Sequence, residues 1–197
     1  MYFFFKRIID IFLSLNLLVI FVPVFIIILL VILIFDKHYP FFIQERSGLN
    51  GKKIYIYKFK TMKQKEEDLK ITFIGNFLRI SKLDELPQIF NVFIGNMSFI
   101  GPRPLYLEFN QHLKKAHKLR LSIKPGITGL AQIRVKDSTD WNKKFNYDVI
   151  YILRNNFKLD LYIFFETIIM IIKSILFTKH RPNEIIDYKS SFYESYK

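Results

Sequence analysis

An apolar run of 25 residues, from Ile11 to Phe35, is the feature that most limits how this chain can fold. The run is long enough to cross a bilayer as one straight helix. Pro23 lies at its middle, however, where a proline breaks or kinks a helix. The positive-inside rule favours the cytoplasm for both ends, because both have basic flanks: Lys6, Arg7, Lys37, Arg46, Lys52 and Lys53. The residues therefore leave two geometries open, a spanning helix and a re-entrant helix that bends at Pro23.

The composition of the 197-residue chain indicates a folded protein with an anionic partner. Hydrophobic residues make up 51% of it and phenylalanine occurs 22 times, which is too apolar for a disordered chain. The formal net charge of +13 suggests a phosphorylated substrate, a nucleic acid or an acidic membrane surface as the partner. The chain has no cysteine, so disulfide scaffolds and thiolate metal sites are excluded.

Two adjacent carboxylates, Asp84 and Glu85, stand at the predicted start of a helix. Pro87 is tolerated only in a first helical turn, so it places Asp84 at or near the N-cap. Gly95 is predicted to end the helix, whose apolar face comprises Leu86, Ile89, Phe90 and Phe93. In the simplest interpretation both carboxylates cap free amides and complement the helix dipole.

The arginines around this pair favour a second interpretation. Arg79 precedes the carboxylates, and Arg103 follows the helix between two prolines, just after Gly101. A guanidinium in a fixed frame suits bidentate recognition of phosphate. Carboxylates and arginines near a helix N-terminus together indicate phosphate chemistry assisted by a divalent metal.

A β-hairpin is predicted between the apolar run and the carboxylates. Residues 41–46 and 52–60 read as its strands, and the intervening Asn50-Gly51 is a strong hairpin turn. Lys58 and Lys60 fall on one face of the second strand. They are either solvated edge charges or a basic wall beside a phosphate site.

The other segments have simpler patterns. Residues 63–70 are highly charged and are predicted as an exposed loop or helix end. Residues 104–118 fit a helix with one apolar face, and residues 124–129 fit a loop. Residues 159–177 form a second apolar run whose charged residues favour a helix lying in the interface or packed on the domain. The tail from Thr178 is predicted to be loosely held.

A carboxylate, Asp148, lies on an apolar helical face with Phe145 and Ile152. Most buried carboxylates of this kind pair with an arginine or a backbone amide. A role in metal binding or in the active site is the alternative.

Four motifs carry a resemblance, and they occur in order at residues 58–62, 83–88, 95–104 and 124–129. In this respect the chain resembles the bacterial sugar transferases that are monotopic phosphoglycosyl transferases, and in particular their small single-domain members. The resemblance covers nearly the whole chain, from the N-terminus to about Phe177.

The resemblance implies a small mixed α/β fold with interfacial amphipathic helices and a short β-hairpin. It also favours the re-entrant geometry, because members of the family dip into one leaflet and leave on the same side. We therefore expect residues 1–35 to form a re-entrant anchor. Residues 36–197 are then expected to form a catalytic domain on the cytoplasmic face of the bacterial inner membrane.

The resemblance further implies a reaction. A sugar 1-phosphate moves from a UDP-sugar to polyprenol (undecaprenyl) phosphate in glycoconjugate synthesis, and UMP is released. Asp84 is the implied nucleophile and forms a covalent phosphosugar intermediate, with Glu85 as the second catalytic residue and the ligand of Mg²⁺. The implied substrate-binding residues are Lys58, Lys60, Arg79, Gly101, Pro102, Arg103, Lys136 and Asp148.

One loop departs from the family. Many small members have Asn-Gly-Arg after Ala-Gln-Val, whereas here Ala131-Gln132-Ile133 leads to Arg134-Val135-Lys136. Nucleotide contacts in this loop are therefore open.

A rival hypothesis is a non-catalytic, membrane-tethered basic module that binds nucleic acid or acidic lipid. The charges are interleaved rather than clustered in a nucleic-acid-binding fold, so we expect no nucleic-acid partner. The sugar, the glycan pathway and the oligomeric state are not specified by the sequence.

Overall fold

The computed structural model describes residues 2–65, 68–135, 139–177 and 188–196, which form a mostly helical α/β protein with three short two-stranded sheets. The helices are α1 (Tyr2–Ile20), α2 (Val22–Val31), α3 (Phe73–Ser81), α4 (Gln88–Ile94), α5 (Leu130–Arg134), α6 (Trp141–Arg154), α7 (Phe157–Phe177) and α8 (Tyr188–Ser195). The strands are β1 (Phe41–Ser47), β2 (Lys53–Phe59), β3 (Met62–Lys65), β4 (Asp68–Ile71), β5 (Ser98–Ile100) and β6 (Gly126–Thr128). The prediction of a mixed α/β fold is confirmed.

The N-terminal apolar run is bent, as predicted. Helices α1 and α2 meet at 56° around Phe21, and one π-helical turn, Ile32–Asp36, continues α2. Pro23 has no N–H to donate to the carbonyl of Val19, which a continuous helix would require. No single helix in the described ranges is long and apolar enough to cross a bilayer, whereas the bent pair meets both criteria together.

Both ends of the bent pair contact the rest of the protein. Near the start, Tyr2 and Lys6 hydrogen-bond to the Asp160 carboxylate of α7. At the end, Asp36 accepts a hydrogen bond of 2.8 Å from the Thr72 hydroxyl, which also caps α3. The bent pair therefore leaves and rejoins one body, although a domain boundary between residues 35 and 36 stays a prediction.

The predicted hairpin is confirmed. Strands β1 and β2 pair antiparallel from Phe41–Phe59 to Ser47–Lys53. Residues 48–52 join them, and Asn50 and Gly51 have positive φ values in this turn. Buried Asn91 fixes α4 along β2, because its side chain bonds the backbone N–H of Tyr57 (3.1 Å) and the carbonyl of Tyr55 (2.7 Å).

Helix α4 presents a different face to the core from the one predicted. Gln88, Ile89, Asn91 and Val92 are buried. Phe90, expected on the apolar face, is 46% exposed. The reason is that Asn91 and Val92 face the hairpin, where Val92 packs with Ile54 and Ile56.

Two segments differ from their predictions. Residues 62–65 and 68–71 form an antiparallel pair, because backbone pairing between strands needs no apolar periodicity. Residues 104–118 do not form the predicted α-helix. They contain the 3₁₀ segment Leu107–His112 and the start of His117–Ser122. The backbone is extended at Leu113, which interrupts the helix. The Lys114 N–H therefore donates to the Tyr196 hydroxyl (3.0 Å) and not to a carbonyl of a preceding helical turn.

The C-terminal helix explains that outcome. Phe192 and Tyr196 are buried in a cluster with Leu105, Phe109 and Trp141, so tertiary packing overrides local helix propensity. The prediction of a loosely held tail is wrong for residues 188–196, while residues 178–187 lie outside the described part of the chain.

A short parallel pair lies where residues 124–129 were predicted to form a loop. Strand β5 pairs with β6, and the Gly101 N–H bonds the Thr128 carbonyl at 2.9 Å. A Cβ on Gly126 would stand 2.1 Å from the Gly101 nitrogen, so only glycine fits there. This contact holds the chain that leads to Arg103 against β6.

Candidate active site

Asp84 and Glu85 lie on a separate 3₁₀ turn, Leu83–Glu85, between α3 and α4. Lys82 ends α3 in the left-handed region (φ 61°) and redirects the chain into this turn. Asp84 was predicted at or near the N-cap of this helix; α4 begins only at Gln88 with Pro87 as its N-cap, so Asp84 precedes the helix instead of capping it. Asp84 therefore does not lie at the positive end of the α4 helix dipole.

The Glu85 carboxylate is buried between two cations. Its Oε1 accepts hydrogen bonds from Lys58 Nζ at 3.0 Å and from an Arg103 terminal nitrogen at 2.7 Å. Burial alone would raise the pKa of Glu85, but the charges of Arg103 and Lys58 outweigh it and hold that pKa well below its usual range. Glu85 is therefore ionised at neutral pH and fixed in orientation.

Asp84 has the opposite electrostatic environment. Burial and then the charge of Glu85 raise its pKa, and Lys58, Lys82 and Arg79 only partly offset this rise. Its Oδ1 is buried and has no hydrogen-bond partner among the described residues. A capping carboxylate would bond a backbone N–H, and the turn shows no such side-chain cap. One oxygen of Asp84 is thus unpartnered among the described residues, although the charges of three cations act on this carboxyl.

The backbone of Arg103 is held by a buried ion pair between Arg120 and Asp148. Arg120 donates to the Arg103 carbonyl at 2.7 Å and to Asp148 Oδ2 at 3.0 Å, and both Arg120 and Asp148 are almost fully buried. The structure thus gives Asp148 the arginine partner that is usual for a buried carboxylate. Gly101 and Pro102 are buried too, in the backbone pairing with β6. Direct binding of substrate by Gly101, Pro102 and Asp148 stays a prediction.

Of the remaining predicted residues, Arg79 and Lys60 belong to the described part of the chain. Arg79, in the last turn of α3, donates through Nε to the Thr61 hydroxyl at 2.8 Å. Lys60 directly precedes Thr61, just past the end of β2. Lys136 lies outside the residues that the structure describes.

Three polar residues near the site were not predicted from the sequence. The charge of Lys82 favours the ionised form of both carboxylates, although the pKa of Asp84 is raised overall. The only sequence signal for Lys82 is its place two residues before Asp84. Arg46 and Gln88 come together with the predicted residues only in three dimensions. A shallow cleft beside Glu85 is lined by Arg46, Ile56, Lys58, Gln88, Arg103, Pro104 and Gly126.

The carboxylate pair fits a hard divalent cation. The described residues contain no group of three or more His, Asp and Glu side chains that could hold a metal alone. Mg²⁺ in phosphate-transfer sites commonly uses one or two carboxylates and takes its other ligands from substrate phosphates and water. The unpartnered oxygen of Asp84, next to the ionised Glu85, is compatible with that mode.

Comparison with known proteins shows the family of this chain. Residues 1–174 match the family described as bacterial sugar transferase. The chain belongs to this family. The resemblance inferred from the four motifs is thereby confirmed.

Two relatives illustrate the range of the family. A UDP-glucose:undecaprenyl-phosphate glucose-1-phosphate transferase of Klebsiella pneumoniae is 38% identical over 182 residues, which is 83% of this chain and 39% of that protein. The exopolysaccharide production protein PSS of Rhizobium leguminosarum is 34% identical over 190 residues, or 83% of this chain and 93% of the relative. The chain thus spans about two fifths of the length of the first relative.

The raised pKa of Asp84 can be tested by measuring the stability of the folded protein. Because burial and Glu85 raise the pKa of Asp84, its ionisation at pH 7 destabilises the folded protein. Asp84→Ala should therefore leave the melting temperature in detergent equal or higher at pH 7. The gain should vanish below pH 3.8, the usual pKa, where the carboxyl is protonated in both the folded and unfolded states.

The matched control is Asp140→Ala. Asp140 caps α6 by accepting from the Lys143 N–H at 2.9 Å, so its loss should destabilise the fold by about 1 kcal/mol. If Asp84→Ala lowers the melting temperature at pH 7 as much as this control does, Asp84 is a structural group.

Proposed function

We propose that this protein transfers a sugar 1-phosphate from a UDP-sugar to polyprenol phosphate and releases UMP. The observation that carries the proposal is the carboxylate pair, in which Glu85 is held by two cations while Asp84 Oδ1 has no partner in the described chain. The relatives support the choice of substrates, since several are named as undecaprenyl-phosphate sugar-phosphate transferases acting on UDP-glucose or UDP-N-acetylgalactosamine.

Asp84 is the nucleophile in this proposal. One Asp84 oxygen attacks the β-phosphorus of the UDP-sugar, the bond to the α-phosphate oxygen breaks, and UMP leaves with the electron pair. An oxygen of polyprenol phosphate then attacks the same phosphorus, and the Asp84 carboxylate is released unchanged. Dividing the transfer in this way replaces one difficult displacement with two easier ones.

Glu85 is a poor candidate for the nucleophile. Its Oε1 already accepts from Lys58 and Arg103, and its depressed pKa makes it the weaker base of the pair. It instead orders the two cations that face the substrate phosphates. Arg79, whose charge already acts on Asp84, supports the phosphate under attack.

Mg²⁺ is the proposed cofactor, with Glu85 as its protein ligand. Bound there, it would neutralise charge on the diphosphate and make UMP a better leaving group. The orphaned Asp84 oxygen beside Glu85 supports a hard cation at this position.

We also propose that the bent pair α1–α2 is a re-entrant anchor in the cytoplasmic face of the bacterial inner membrane. Its two ends contact α7 and α3 of one body, which supports entry and exit on the same side. Helix α7 buries Asp160 and Ile163 but exposes an apolar side that suits the lipid interface: Phe165, Ile168, Ile169, Ile172, Ile175 and Leu176. The site would then reach a soluble donor and a membrane-bound acceptor.

The function is tested by incubating purified protein with UDP-sugars, Mg²⁺ and undecaprenyl phosphate. We expect UMP release with at least one sugar, and its loss in Asp84→Asn, which keeps size but removes the charged nucleophile. No release with any UDP-sugar would contradict the reaction. Polyanion binding that survives loss of Asp84 and weakens steeply with salt would favour the basic-module hypothesis instead.

The same assay tests the metal. Chelator should stop UMP release and added Mg²⁺ should restore it. Glu85→Gln should turn over slowly, and its rate should depend less on Mg²⁺ concentration. Full activity in chelator would remove the divalent cation from the mechanism.

The anchor geometry is tested with single cysteines, since the natural chain has none. Phe3→Cys and Asn50→Cys should both resist a membrane-impermeant thiol reagent in spheroplasts and both react after permeabilisation. Reaction of one site alone before permeabilisation would establish a spanning helix.

A further inference from the structure

Arg46 is a cleft-lining cation that the roles above leave unused. It lies near the end of β1 and lines the cleft together with Lys58 and Arg103, the two cations that bind Glu85. Within the described residues Arg46 forms no ion pair. A half-buried guanidinium without a counter-ion is electrostatically unfavourable unless an anion arrives.

The guanidinium is held in a fixed orientation. Its central carbon lies 3.6 Å from the centroid of the Tyr106 ring. Nε and one terminal nitrogen both donate to Gln44 Oε1, at 3.1 and 2.6 Å, and the Gln44 amide donates to the Tyr106 hydroxyl at 3.3 Å. Both partners, Tyr106 and Gln44, are neutral, so they orient Arg46 without compensating its charge. A planar donor fixed in this way suits a phosphate.

The excess of positive charge around Arg46 also favours binding of an anion. Burial and the nearby charge of Arg103 lower the pKa of Arg46, while Glu85 and Tyr106 act in the opposite direction. Three cations, Arg46, Lys58 and Arg103, therefore stand near one carboxylate that is already bonded to two of them.

The cations act unequally on the two carboxylates. Lys58 and Lys82 act on both, whereas Arg79 acts on Asp84 and Arg103 acts most strongly on Glu85. Arg46 is grouped with Arg103 and Glu85. Among the described residues, the lining of the cleft includes Arg46, Lys58 and Arg103 but not Asp84.

We propose that Arg46, stacked on Tyr106, binds a second substrate phosphate in the cleft. This inference rests on the proposed function. Two sources have the same chemistry: the α-phosphate of the donor, which leaves in UMP, and the phosphate of the polyprenol acceptor. In either case Arg46 contributes binding and orientation, while the bond changes occur at Asp84.

The test compares Arg46→Gln and Arg46→Lys with wild type. We expect Arg46→Gln to weaken substrate binding by about 10–100-fold, the worth of a charge-assisted hydrogen bond. Arg46→Lys should recover little of it, because an ammonium keeps the charge but loses the stacked fork. The matched control is Lys53→Gln on the same hairpin, which removes an exposed cation and should bind like wild type.

Ligand-binding and kinetic measurements distinguish the donor phosphate from the acceptor phosphate. Melting temperatures show whether a variant is still folded. Calorimetric binding of UMP and the KM for UDP-sugar should change if Arg46 holds the donor phosphate, whereas the KM for undecaprenyl phosphate should change if it holds the acceptor. Melting temperatures of the variants should stay within a few degrees of wild type. Wild-type affinities for all three ligands in Arg46→Gln would overturn the proposal. Failure of wild type to release UMP would overturn the proposed function itself.

Discussion

A single buried oxygen, Glu85 Oε1, bonds both Lys58 and Arg103, and the geometry of the site depends on that contact. Lys58 comes from the hairpin and Arg103 from the loop after β5, so the carboxylate joins two distant parts of the chain. Removing one partner from a fully buried pair costs about 3–5 kcal/mol. The cost here is smaller for Arg103, whose side chain is 50% exposed and remains partly solvated.

The two carboxylates of this turn, Asp84 and Glu85, have pKa values shifted in opposite directions. Glu85 is stabilised as an anion, whereas burial and the charge of Glu85 disfavour the anion of Asp84. An unsatisfied, partly desolvated carboxylate lowers the stability of the fold but makes the stronger nucleophile, which is the compromise common at catalytic groups. Arg120 and Asp148 supply the rigidity behind Arg103 that such a site requires.

Sequence patterns predicted what local chemistry determines: the Asn50-Gly51 hairpin, the bend near Pro23 and the pairing of buried Asp148 with an arginine. They missed what tertiary contacts decide. The 3₁₀ turn of Asp84 depends on a left-handed Lys82, and the interrupted helix after Pro104 depends on packing against the C-terminal helix. The place of Arg46 beside Lys58 and Arg103 depends on strand register and on its stacking over Tyr106, which no local motif encodes.

The covalent role of Asp84 is tested most directly by intact-protein mass spectrometry after mixing the enzyme with UDP-sugar in the absence of acceptor. The account predicts a burst of no more than one UMP per enzyme and a mass increase equal to one sugar phosphate, located on Asp84 by peptide mapping. Adding undecaprenyl phosphate should remove the adduct, and Asp84→Asn should never form it. Turnover without a burst or adduct, or turnover by Asp84→Asn, would contradict the central claim and indicate direct transfer between the two substrates.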